Sequence, residues 1–386
     1  MQLPQLKRKT PQEMFESVAA FEREHGPGGA GRGEVFFVVP RLHACIQATP
    51  KAVDFYFDVL HPRTSWRTGV VRLAFKAATR SRAAREALLR AGLVHSVYDT
   101  ESLEGVRWSD LDVLLGEWQF TGAFSASRGT VSHVLTQGRY VGSLINEVEA
   151  RRSLDGVVRL PHLHGAWLTG AGRGWTEDTV FGSPPAESRP LDEAQRMMLR
   201  AYEATREEVG VNEYLDRLTA LADERYAEAP PHVKEPVDAL LAIARASAAE
   251  ADLDSVALAR CHGDLNKAQM VGPPEAPVLI DWSESEVCSV FHDLVYSSAR
   301  FGQWQGYTGK KYPDEFGVLR DALQDEMRGM PGTFASALVF AEAGVKQHVD
   351  HSQERGSWRS WSEHVSHFIE AAGGDGAELR SVSRVA

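Results

Sequence analysis

Val35 to Val39 is an unbroken apolar run, the pattern of a buried strand. Residues 70–91 predict a helix. Leu111 to Phe120 is apolar and rich in β-formers, and Thr130 to Leu135 alternates, so both predict strands. Thr121 to Gly129, between them, predicts a turn of small residues. Leu144 to Leu154 predicts a helix. Residues 190–258 predict mostly helix, broken at Ala229-Pro230-Pro231 and at Pro236, where the ring removes a backbone donor. A turn and a short strand follow over 259–282, and helix returns over 313–372. Residues 1–25 read as a short amphipathic helix and Gly26 to Gly33 as a flexible linker. No internal repeat is present. The order gives five segments: helix and linker 1–33, an accessory α/β region 34–110, a strand-rich segment 111–182, a helical segment 183–372 and a polar, flexible tail 373–386.

Composition narrows the class. The 386 residues are 43% apolar and 25% charged, the profile of a globular chain of two or three domains. The net charge of −11 excludes a nucleic-acid binder that works by bulk charge. That charge is unevenly placed: residues 1–110 carry 16 basic and 12 acidic side chains, net +4, which leaves −15 for the rest. The 70–91 helix holds Arg72, Lys76, Arg80, Arg82, Arg85 and Arg90 against Glu86 alone. It reads as a solvated face, with docking of an acidic partner or anionic substrate as the sharper alternative. Cys45, Cys261 and Cys288 are three in number and lack CxxC spacing, which points to a reducing, cytoplasmic setting. No apolar run approaches the length of a membrane helix, so no membrane is expected.

The densest chemistry lies over 261–294. Cys261-His262-Gly263-Asp264-Leu265-Asn266-Lys267-Ala268-Gln269 precedes an apolar strand, Val278-Leu279-Ile280, which ends in Asp281-Trp282. Eleven residues beyond Asp281 comes His292-Asp293-Leu294. Two acids separated by a loop and a strand can converge on one metal–phosphate centre, as phosphoryl transfer requires.

These pieces, in this order and spacing, resemble the aminoglycoside phosphotransferase / choline kinase-like family. Its catalytic loop reads His-Gly-Asp-x-x-x-x-Asn and its metal strand ends in Asp-Trp or Asp-Phe. The resemblance extends weakly over about 111–370. It implies an α+β, protein-kinase-like bilobal fold with a small β-rich N-lobe, a helical C-lobe and an N-terminal extension of the kind some bacterial members carry. It further implies ATP and Mg²⁺ as cofactors, Asp264 as catalytic base, Asp281 as metal ligand, His262 as a brace of the loop and Asp293 as an anchor. Glu147 would pair with the N-lobe cation, and Gly122, Arg128 and Gly129 would cover phosphate. Trp175 to Gly182 falls at the interlobe hinge, or is a surface loop.

The chain departs from the family at two points. Gln269 stands where Asn is expected, one methylene longer, and either it or Asn266 would complete the metal site. No Lys occurs between Lys76 and Lys234, so the strand over Ser132–Gln137 lacks its phosphate-binding Lys. Arg128, Arg139 or His133 would have to supply that charge, and Arg is not a neutral swap for Lys. The expected function is phosphorylation of a hydroxyl on a small molecule: a sugar, an aminoglycoside or an amino alcohol. A catalytically impaired kinase-like binding or scaffold protein is the alternative. Outside this constellation, His348/His351 and His364/His367 read as helix-surface pairs, His162 and His164 as loop residues, Glu284 and Glu286 as a solvated turn, and Cys261 as a small buried hydrophobe.

Overall fold

A computed structural model describes residues 34–39, 43–60, 66–91, 93–97, 111–116, 120–135, 141–167, 173–179, 190–229, 231–266, 269–272, 276–300, 316–347, 365–366, 368–370 and 372. The expected helix at 1–25, the linker, Arg139 and the four histidines near the C-terminus lie outside these. The chain forms two compact units. One takes its described residues from 6–144 and 161–182, and the other from 145–160 and 183–386.

The first unit is built on an eight-stranded sheet. Its strands are β1 (Glu34–Val39), β2 (Ala44–Gln47), β3 (Val94–Val97), β4 (Val113–Gly116), β5 (Phe120–Ser125), β6 (Thr130–Leu135), β7 (Leu163–Trp167) and β8 (Arg173–Asp178). They lie in the order β3-β1-β2-β4-β5-β6-β8-β7, and every neighbouring pair is antiparallel. The sheet therefore runs without interruption across residue 110. Register places Phe37 opposite Ile46, Ile46 opposite Val113 and Val113 opposite Phe124. One face is thus an apolar row, because side chains directly opposite share a face. Against that row pack α1 (Pro50–Phe55), the π-helical turn Tyr56–Leu60 and α2 (Trp66–Arg80), with Phe37 stacked on Phe75 at 4.7 Å. Thr49 caps α1 by accepting from Ala52 N at 3.1 Å.

The helix expected over 70–91 is two helices, α2 and α3 (Arg82–Arg90), separated at Ser81. Their basic face is partly neutralised from within the chain. Arg72 meets Asp54 and Asp58 at 2.6 and 2.5 Å, Lys76 meets Asp54 at 2.5 Å, and Arg82 meets Glu86 at 3.0 Å. The turn expected over 121–129 is narrower. Residues 120–125 are strand β5, and only 126–129 turn.

The second unit is mostly helical. It contains α4 (Val141–Ser153) from Ile145 onward, α5 (Pro190–Thr205), α6 (Val211–Arg225), α7 (Pro231–Glu250), α8 (His292–Arg300), α9 (Gly317–Ala322), α10 (Gln324–Met327) and α11 (Gly332–Glu342). Pro236 does not break α7. Pro231 opens the helix, where a missing N–H costs nothing, and Pro236 removes one bond near its start. The buried face Val237, Leu240, Leu241, Ala244 and Ala248 outweighs that loss. Strands β9 (Glu207–Gly210), β10 (Ser255–Cys261) and β13 (Glu286–Ser289) form a small antiparallel sheet, order β13-β10-β9. A two-residue ladder joins β11 (Met270–Val271) to β12 (Val278–Leu279). No helix among the described residues is long and apolar enough to cross a membrane.

Candidate active site

β10 delivers the His-Gly-Asp segment, and Asp293, at the start of α8, fixes it. The fully buried Asp293 carboxylate accepts from His262 N at 2.9 Å, from Gly263 N at 2.8 Å and from Tyr202 Oη at 2.7 Å. Gly263 sits at φ +82, a conformation glycine adopts without penalty. His262 braces the loop from inside. Its Nε2 lies 3.0 Å from Ile280 O, which can only accept, so Nε2 carries the proton. Nδ1 is then free to accept from Asp264 N at 3.3 Å. Tyr202 has no signal in the motif. Its contact with Asp293 spans α5 to α8, and no local pattern reveals it.

The ladder of β11 with β12 folds the chain back, so that Asp281 arrives beside Gln269. Ile280 N donates to Gln269 O at 2.9 Å, and Gln269 N to Asn266 O at 3.1 Å. The Gln269 side chain is buried, and its Nε2 donates to Asp281 Oδ2 at 3.1 Å and to Asp264 Oδ2 at 3.4 Å. Asn266 Nδ2 donates to Asp264 O at 2.9 Å and to its Oδ1 at 3.3 Å. Ser283 Oγ donates to Asp281 Oδ1 at 2.8 Å. Asp281 itself holds φ +63, a left-handed conformation rare for a residue with a Cβ. Strain of this kind concentrates at functional positions. Asp264, Asn266, Gln269 and Asp281 thus come together, and Ser283 joins them unforeseen.

Of the expected phosphate-side residues, Gly122, Arg128 and Gly129 lie in the sheet unit and Glu147 in the helical unit. Gly122 lies inside β5 opposite His133, away from the turn at 126–129 that holds Arg128 and Gly129. Gly129, at φ +66, accepts from Thr179 N at 2.7 Å. Glu147 is buried and paired with Arg151, one turn along the same helix. His133, on the strand that should carry Lys, stacks on Trp175 at 4.4 Å and meets Glu177 Oε1 at 3.1 Å. Trp175 Nε1 donates to Glu177 Oε2 at 3.1 Å. Residues 175–178 are therefore strand, with Trp175 in the core and not in a surface loop. His162 and His164 are exposed at β7, and His164 meets Asp178 at 2.7 Å.

A second polar cluster went unpredicted. Glu342, fully buried at the end of the apolar helix α11, accepts from Tyr214 Oη and Ser289 N at 2.7 Å each on Oε1. On Oε2 it accepts from Ser289 Oγ at 2.9 Å and His292 Nδ1 at 2.7 Å. The donor atoms of Cys288, His292 and Glu342 lie within 4.8 Å of one another, a metal-like grouping. With all four acceptor positions of Glu342 taken by protein donors, the cluster works as a core network joining α6, β13, α8 and α11. Burial alone would push His292 down, but Cys288 and Glu342 outweigh it and hold the imidazole well above its ordinary range. Burial would raise Glu342, but His292, Lys346 and Tyr214 hold it below the usual carboxylate range. A single Glu in Phe-Ala-Ser-Ala-Leu-Val-Phe-Ala-Glu was the available signal, because a lone acid in an apolar helix needs buried partners. Cys261 is buried as expected, and burial raises its thiol well above the ordinary value.

An antiparallel sheet unit and a mostly helical unit, the latter carrying a His-Gly-Asp loop and an Asp-Trp strand end, define an α+β protein. No family model matches the chain, and no curated protein matches its sequence. Among solved structures it is similar to a choline kinase from Streptococcus pneumoniae, at 13% identity and a TM-score of 0.44, over 67% of this chain and 90% of that one. A choline/ethanolamine kinase family protein from Mesorhizobium loti aligns at 14% identity and 0.43, over 70% and 92%. A thermostable aminoglycoside phosphotransferase mutant in ternary complex with ADP and hygromycin B aligns at 14% identity and 0.43, over 70% and 95%.

Proposed function

We propose that the chain is an ATP-dependent phosphotransferase acting on a hydroxyl of a small molecule, of the sugar, aminoglycoside or amino alcohol class. The observation that carries this reading is the convergence of Asp264, Gln269 and Asp281 on one half-buried spot, held from behind by Asp293 and His262. Asp264 accepts the proton of the attacking hydroxyl as its oxygen bonds to the γ-phosphorus, and the β–γ bridge breaks to release ADP. Asp281, with the amide oxygen of Asn266, offers hard oxygen donors of the kind Mg²⁺ takes, so the residues present fit that ion. When bound, Mg²⁺ neutralises charge on the transferring phosphates. Catalysis by these side chains is then largely positioning and charge stabilisation.

A second reading, a kinase-like binding protein with little phosphotransfer, draws on the sheet unit. His133 faces Glu177 there, and Glu147 is matched by Arg151 of its own helix. A carboxylate beside the one basic side chain of the β6 face opposes phosphate binding. The test is a thermal shift with Mg²⁺–ATP followed by ADP release across a panel of hydroxylated acceptors. We expect stabilisation that disappears in Asp281→Ala, and turnover that falls by roughly 10²–10⁴-fold in Asp264→Asn. Absence of any nucleotide-dependent shift in the parent protein would leave the binding-protein reading.

A further inference from the structure

The Gln269 amide stands between two acids, Asp264 and Asp281. It is 9% exposed, and its position is set by two backbone bonds, Gln269 N to Asn266 O at 3.1 Å and Ile280 N to Gln269 O at 2.9 Å. Its terminal group meets Asp281 Oδ2 at 3.1 Å and Asp264 Oδ2 at 3.4 Å. Both facing atoms are carboxylate oxygens, which accept only, so the amide presents its NH₂ and its two hydrogens can serve one carboxylate each. Two carboxylates sharing a site repel, and a donor placed between them relieves part of that cost, as a cation would. The extra methylene relative to Asn gives the side chain this reach. The other oxygen of Asp281 takes Ser283 Oγ at 2.8 Å, and that of Asp264 takes Asn266 Nδ2 at 3.3 Å. Protein donors therefore reach all four oxygens of the pair.

We infer that Gln269 is a latch. In the cation-free protein its NH₂ bridges Asp264 and Asp281, and a divalent ion binds only by displacing that bridge. Gln269 is thus a positioning residue that sets the site to respond at higher divalent-cation concentration than an unbridged pair would. The inference rests on reading Asp264 and Asp281 as the cation pair of the proposed phosphotransferase.

The experiment uses the full chain, Gln269→Met as a near-isostere without the amide, and Gln269→Asn as a shorter amide that cannot span both acids. Melting is followed in chelator, and Mn²⁺ binding is titrated by EPR without nucleotide. Gln269→Met should melt about 2–4 °C lower in chelator, an effect that should vanish when Asp281→Ala is combined with it. The same variant should bind Mn²⁺ severalfold more tightly, with Gln269→Asn in between. Weaker Mn²⁺ binding by Gln269→Met would make Gln269 a ligand and overturn the latch. No change in either measurement would overturn it as well. The expected melting change with no Mn²⁺ bound by any variant would overturn the competition and, with it, the metal role of Asp281. ADP release by the parent with neither Gln269 effect would sink the latch alone and leave the phosphotransferase reading intact.

Discussion

Glu342 holds four donors from three other elements, and its removal takes the buried carboxylate away from His292. Breaking a buried ion pair from one side costs roughly 3–5 kcal/mol. Glu342→Ala should therefore lose about that much stability in urea unfolding, while Tyr214→Phe, which removes one bond, should lose only about 1 kcal/mol. The pair also fixes a pH window. Glu342 titrates below its ordinary value, so its contribution is complete above about pH 4.3 and is lost as pH falls through the folded value. His292 titrates above its ordinary value, so its contribution is complete below about pH 6.5 and is lost as pH rises through the folded value. The pair's contribution should be greatest between those limits, and unfolding measured against pH in Glu342→Gln should lose this dependence. At the same scale the catalytic loop was legible in the sequence. His262, Gly263 and Asp264 are contiguous and Asp281 follows within the same short segment, so their contacts need only one loop and one short ladder. Tyr202 and Ser283 were not legible, because hydroxyls of this kind are common and only packing shows which carboxylate each one meets.

Among elements, β6 and β8 pair over six positions. Gly174 faces the β6 backbone so closely that an added Cβ would lie 2.2 Å from His133 O. Gly174→Ala should therefore cost about 1–3 kcal/mol through forced backbone movement. It should also change the near-UV circular dichroism of Trp175, which stacks on His133. Gly69, exposed near the start of α2, is the contrasting case. Nothing lies within 4 Å of an added Cβ, and Gly69→Ala should stabilise by about 0.5–1 kcal/mol in the same assay. The sequence pattern located β6 to the residue, although burial does not alternate along it: Thr130, Val131, Ser132 and Val134 are all buried. Pro236 misled, because a rule about proline alone ignores the apolar face that follows it in α7. The split of 70–91 into α2 and α3 was hidden by a composition that suits helix on both sides of Ser81.

For the whole molecule, the two units are interleaved along the chain. The helical unit needs Ala150, Leu154 and Val158, which precede β7, for its core. It also uses Asn146 Nδ2 to Ser283 O at 3.3 Å, Arg260 to Glu149 at 3.2 Å and Leu279 N to Arg159 O at 3.1 Å. A fragment of residues 183–386 should therefore melt lower and less cooperatively than one of residues 141–386, since each missing Leu-sized core contact is worth roughly 2–5 kcal/mol. Calorimetry of the two fragments checks this, and equal melting would mean that α4 is dispensable to that core. Read alone, the sequence determined the chemistry of 261–294, the α+β class and the lack of a strand Lys, because each of these is written in contiguous residues or in composition. Tertiary structure decided where the charges meet. His133 meets Glu177 across 44 residues and His292 meets Glu342 across 50. Contacts that distant are chosen by sheet register and helix packing, which pattern along the chain does not encode.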